Sequence, residues 1–157
     1  MLDKYIRNDR IIINLNISNK WNILEILTRI YCKSLPVKIL DEILYSVLWR
    51  EMKFSTGLGG AIAIPHGRTE CVSKTGLLFA RFKKSVDWES IDNRKVHYVF
   101  LIVGPMDATE EYLDILSKIS KVLSRKMMRN ALLETDNIKK ICQLVTNSEE
   151  RKTKRYR

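Results

Sequence analysis

The chain has 157 residues, 45% of them hydrophobic and 29% charged, enough for one compact domain that buries about 70% of its unfolded surface, with no room for a second. No apolar run approaches the roughly 20 residues that cross a bilayer, and the start Met1-Leu2-Asp3-Lys4-Tyr5 lacks the charged-then-apolar order of a signal peptide; no membrane span and a cytoplasmic location are expected. The net charge of +10 attracts polyanions in general, but it is spread along the chain without a nucleic-acid-binding motif, so nucleic acid is not an expected partner.

Residues 10–16 are rich in isoleucine and bounded by polar residues, which predicts a first strand. A turn at 16–19 follows, and Ser18 or Asn19 can cap a helix whose apolar residues Ile23, Leu24, Ile26, Leu27, Ile30 and Tyr31 recur with helical period as far as Lys33. Ser34-Leu35-Pro36 opens a second helix with proline in the tolerated first turn. Its stripe of Leu40, Ile43, Leu44, Val47 and Leu48 runs to about Glu51. The stretch 55–60, Ser-Thr-Gly-Leu-Gly-Gly, is too rich in glycine for a helix and well supplied with hydroxyls and amides. An apolar β-type run at 61–64 then stops at Pro65-His66-Gly67.

Downstream, 75–82 and 95–103 read as strands, the second buried on both faces, joined by a polar connection pinned through Val86, Trp88 and Ile91. From Asp107 or Thr109 a helix is expected to about Ser124, with Leu113, Leu116, Ile119, Val122 and Leu123 on its buried face. Shorter helices follow at 126–134 and 136–145, the latter capped by Asp136. Cys32, Cys71 and Cys142 are far apart in sequence and read as buried free thiols, with no metal site. Residues 1–147 are expected to form the single domain, and 148–157 a basic, disordered tail. Strands separated by helices, with little hairpin signal, indicate an α/β sheet covered on both faces, in which sites lie at strand ends.

His66, one of two histidines, stands at such an end. Pro65 restrains its backbone on one side and Gly67 loosens it on the other, while Arg50-Glu51 and Arg68 bring charge nearby. A neutral imidazole near arginines and glycine amides is suited to receive and pass on a phosphoryl group. His97, near the start of a strand, reads as a surface or hydrogen-bonded residue. Arg50 also fits a solvated helix-end cation, and Tyr112 a core-edge aromatic.

The segment 50–68, with its Arg-Glu, Ser-Thr-Gly-x-Gly and Ile-Pro-His-Gly, resembles the active-site region of the fructose/mannitol-type (type 2) IIA domains of the bacterial phosphotransferase system. Within that group it is most similar to the nitrogen-regulatory IIA proteins. The likeness continues through Val86-Asp87-Trp88, Ile91-Asp92, Val96, Phe100-Leu101-Ile102-Val103 with Pro105, and the helix at 113–123. It implies a three-layer α/β/α sandwich, a central mixed sheet flanked by helices on both faces, and a cofactor-free phosphocarrier. By the resemblance, His66 accepts phosphate from HPr or its nitrogen-branch paralogue, and the group passes to a IIB domain or is read by a regulatory target protein. Arg50 then stabilises charge on the phosphoryl oxygens, held in place by Glu51. Thr56, Ser55, Gly57 and Gly59 add hydrogen bonds, and Arg68 faces the phosphate or a docking partner. One departure stands out: the family's second histidine, in a His-Leu pair, is replaced by Tyr112-Leu113. A tyrosine can donate a hydrogen bond but, with an ordinary pKa of about 10, carries no positive charge. The alternative is a regulatory binding protein of the same fold with weak or no phosphotransfer.

Overall fold

A computed structural model describes residues 2–146, so the expected tail at 148–157 lies outside the described residues. The strands are β1 (Ile6–Leu15), β2 (Gly57–Gly59), β3 (Ile62–Ala63), β4 (His66–Arg68), β5 (Gly76–Val86) and β6 (Val96–Gly104). The helices are α1 (Lys20–Tyr31), α2 (Val37–Lys53), α3 (Thr109–Leu123), α4 (Lys126–Glu134) and α5 (Ile138–Thr146). They build one mixed sheet in the order β1-β5-β6-β3-β2, with β4 also paired to β6. β1 runs parallel to β5, β5 antiparallel to β6, and β3 and β4 parallel to β6.

The period-2 alternation of the two central strands sorts their side chains onto two cores. Leu77, Phe79, Tyr98, Phe100 and Ile102 face α3, α4 and α5, while Leu78, Ala80, Val99, Leu101 and Val103 face α1 and α2. The result is a three-layer α/β/α sandwich. No helix among the described residues is long and apolar enough to cross a membrane.

Several local expectations need correction. β5 and β6 form an antiparallel pair although little hairpin signal is visible, because the connection is long and is anchored by Trp88 rather than by a tight turn. Val86 ends β5, and Ile91 is 84% exposed and pins nothing. On α3, Leu113 is exposed and Ile115 takes the buried place. α5 is capped by Asn137, whose Oδ1 accepts from the Lys140 amide at 3.0 Å, because the Asp136 carboxylate is drawn instead to the buried Arg81 guanidinium. That guanidinium also donates to the carbonyls of Leu132 (2.9 Å) and Thr135 (2.7 Å), joining β5 to the α4–α5 connection. Of the cysteines only Cys32 is buried; Cys71 is exposed and Cys142 half-buried.

Candidate functional site

β3 and β4 are two pieces of one strand along β6, an edge strand only at β4, since β2 pairs with the outer side of β3. Ile62 pairs with Tyr98, Ala63 with Val99 and His66 with Ile102, all in one register along β6. The ladder thins at Ile64-Pro65, where proline has no N–H to offer; its carbonyl still accepts from the Ile102 amide at 3.0 Å. His66 therefore opens a short strand instead of lying just past one. Gly67 faces α2 so closely that an added Cβ would stand 2.8 Å from Ser46 Oγ and 2.9 Å from Val47 Cγ2. Strand alternation then sends His66 and Arg68 to the opposite face, toward the start of α3.

The His66 ring is fixed by its bond from Nδ1 to the Ile64 carbonyl, 2.9 Å away. A carbonyl can only accept, so Nδ1 carries the proton and Nε2 keeps the lone pair. Burial pushes the imidazole down to about 4; the bond to Ile64 opposes this, and the charges of Arg50 and Arg68 add to it. The ring is thus neutral at pH 7, with a defined nucleophilic nitrogen.

Three of the expected partners gather around it. The Tyr112 ring lies 4.9 Å from the imidazole, centroid to centroid, tilted at 54°. Its hydroxyl is buried without a hydrogen-bond partner, and burial pushes the phenol well above its ordinary value against the pull of Arg50 and Arg68. Arg68 lies 6.0 Å from the Tyr112 ring and donates to Thr109 Oγ1 at 2.9 Å. Arg50 sits in the last turn of α2, where a cation is favoured by the helix dipole, and donates to the Phe54 carbonyl at 2.8 Å.

The glycine-rich segment is committed elsewhere. Thr56 is buried, with its amide and hydroxyl donating to the Glu51 carboxylate (3.0 and 2.5 Å) and its oxygen accepting from Trp88 Nε1 at 3.2 Å. Ser55 Oγ donates to the Trp88 carbonyl (2.7 Å) and accepts from the Gly57 amide (3.2 Å). An added Cβ on Gly57 would meet Ser90 Oγ at 2.3 Å, and Gly59 has a φ of +90° that favours glycine. These residues support the strand that bears His66: the Thr56 carbonyl accepts from the Ile64 amide at 3.0 Å. Glu51 does not hold Arg50, contrary to expectation. Its carboxylate serves Thr56 and faces Lys20 Nζ at 3.4 Å, both side chains being buried.

The sequence offered no signal for Lys20 or for the Ile64 carbonyl, since one comes from a distant helix and the other is backbone. Thr109 was visible only as a helix start. Among the described residues no group of His, Cys, Asp and Glu could hold a metal ion.

Residues 4–148 match the family described as phosphoenolpyruvate-dependent sugar phosphotransferase system, EIIA 2. The chain is 33% identical over 125 residues to the fructose-specific EIIABC component of Bacillus subtilis, covering 80% of this chain but only 20% of that protein's length. It is 31% identical over 134 residues to the nitrogen regulatory protein of Escherichia coli, covering 83% of this chain and 80% of the other. Among solved structures, the nitrogen regulatory protein IIA-Ntr of Neisseria meningitidis superposes with a TM-score of 0.85 at 26% identity, over 92% of this chain and 99% of that one. The Escherichia coli mannitol IIA protein, solved in complex with phosphorylated IIB, shares the fold at 20% identity and a TM-score of 0.76, over 90% of this chain and 97% of that one.

Proposed function

The chain belongs to the EIIA 2 family of the phosphoenolpyruvate-dependent phosphotransferase system, and on that premise we propose that it is a phosphocarrier whose His66 accepts a phosphoryl group from phospho-HPr or the nitrogen-branch paralogue. Proteins of this family are phosphotransfer components. The observation that carries the assignment is the bond from His66 Nδ1 to the Ile64 carbonyl, which leaves Nε2 unprotonated in a ring depressed to about 4. Nε2 attacks phosphorus with its lone pair as the donor's bond to phosphorus breaks, and the bonding pair leaves with the donor. Charge on the equatorial oxygens is met by the Arg50 and Arg68 guanidinium groups, whose fork geometry suits phosphate, and by the otherwise unpartnered Tyr112 hydroxyl. Thr56, Ser55, Gly57 and Gly59 act through the strand they support, as positioning residues. The phosphoryl group then passes to a IIB domain, or the phosphorylation state is read by a regulatory target.

The test is incubation with phosphoenolpyruvate, enzyme I and HPr. Wild type should acquire an acid-labile label and His66→Ala none; equal labelling of the two would overturn the assignment. A second reading, a regulatory binding protein with slow transfer, is favoured by Tyr112, whose neutral hydroxyl stands beside His66 where the resemblance leads one to expect a second imidazole. Partner capture unaffected by His66→Asp, together with absence of label, would select it.

A further inference from the structure

Two adjoining cavities, of about 220 and 170 Å³, open beside the β2–β3 turn and share Gly60 and Arg129 as a common wall. Both lie near Ile62 and Tyr98, four residues along β6 from the His66–Ile102 pair, or roughly 13 Å from it at the rise of a strand. Neither contains His66, Arg50 or Tyr112. The larger is apolar on two sides, with Ile62 of β3 and Ile64 facing Ile119 and Leu123 of α3. The smaller is basic, lined by Arg94, His97 and Arg129, with no carboxylate among its lining residues.

Three features of the basic cavity, an open depression, bear on a ligand. The His97 ring lines the cavity, while its Nδ1 is buried away from it with no hydrogen-bond partner, so contact with a ligand falls to the rest of the ring. Arg129 spends one donor on the Leu123 carbonyl (2.6 Å), while its own carbonyl is held by the Tyr98 hydroxyl (2.7 Å), so the guanidinium is fixed at the junction of the two cavities. Ala61, on the wall, has a φ of +68°, strained for a residue with a Cβ, of the kind that gathers at ligand clamps. Asp92, 4.0 Å from Arg94 Nε and held by the Gly60 (2.9 Å) and Arg94 (3.0 Å) amides, offsets part of the charge that Arg94 brings to the cavity.

We propose that these adjoining cavities form a second binding site, for a small organic anion whose acidic group meets Arg94, His97 and Arg129 and whose apolar body reaches past Gly60 to lie between Ile64 and α3. Each cavity alone is below the roughly 300 Å³ at which small-molecule sites start, so the ligand is a small one that spans the shared Gly60 and Arg129. The site touches the phosphoryl centre through one residue, since the Ile64 side chain lines it and the Ile64 carbonyl orients His66.

The experiment is a titration of the full ¹⁵N-labelled chain with hexanoate and with phenyl phosphate, which separate carboxylate from phosphate recognition, against the uncharged hexanamide and benzyl alcohol. Saturable shifts of the Gly60, Ala61, His97 and Arg129 amides are expected with at least one anion, with the uncharged counterparts at least tenfold weaker. Arg94→Gln, at an exposed side chain, and Arg94→Gln/His97→Gln should each weaken anion binding, the double variant at least tenfold. Absence of saturable shifts with both anions, shifts centred instead on His66 and Arg50, or binding unchanged in Arg94→Gln with its spectrum still dispersed, would overturn the proposal.

Discussion

An imidazole depressed to about 4 has consequences for both chemistry and stability. Between that value and the ordinary 6.5 the unfolded chain binds a proton that folded His66 refuses, so stability contributed by the neutral ring is complete above pH 6.5 and is lost as pH falls toward 4, to the order of 3 kcal/mol. Urea unfolding at pH 7 and pH 4.5 should show a steeper loss in wild type than in His66→Gln; parallel losses would contradict the buried neutral ring. Tyr112 gives an independent test. Removing its unpartnered hydroxyl with Tyr112→Phe should leave stability unchanged or raise it by up to about 1 kcal/mol, while slowing phosphoryl transfer. Tyr112→His should bring in a pH-dependent step that wild type lacks. Arg50→Ala should slow transfer about a hundredfold or more, on the scale of other lost charge-stabilising donors, with near-wild-type unfolding.

The strand that bears His66 and the segment that supports it decide whether those residues meet. β3 and β4 share one register on β6, α2 lies flush against Gly67, and the buried Lys20–Glu51 pair with Thr56 and Trp88 fixes the approach to Ile64. Glu51→Gln leaves Lys20 buried with its charge uncompensated apart from the exposed Glu89 carboxylate at 3.7 Å. We expect a loss of about 3 kcal/mol or more in chemical denaturation, far beyond an exposed glutamate substitution. Periodicity was enough for the helices, because their apolar residues repeat without interruption, as at Ile23, Leu24 and Leu27. It failed where a tertiary partner outbid a local rule: Asp136 turned to Arg81, leaving the cap to Asn137, and Leu113 yielded the core to Ile115. The Pro-His-Gly signal pointed to a break in the strand, and His66 opens the short strand after it, but the carbonyl that orients the ring belongs to a backbone whose register no side chain announces.

At the scale of the whole molecule, the two cores divide the labour. The α1–α2 layer carries Arg50 and backs the strand that bears His66, and the α3–α5 layer brings Tyr112 and Thr109 to its other face, so the proposed site lies where the layers meet the broken edge. The mixed sheet followed from the family resemblance and not from composition, since a long hairpin connection anchored by Trp88 carries no turn motif. Among the described residues, 2–146, both cores already have helices on each face of the sheet, and we expect a chain ending at residue 147 to unfold at the same denaturant midpoint as the full chain; a lower midpoint would extend the domain into the basic segment. The measurement that bears most directly on the central claim is the nitrogen spectrum of the His66 ring before and after treatment with phosphoenolpyruvate, enzyme I and HPr. The hydrogen bond to Ile64 predicts a neutral ring protonated at Nδ1 that becomes phosphorylated at Nε2. A ring protonated at Nε2, or a phosphoryl group on Nδ1 or on another residue, would contradict it.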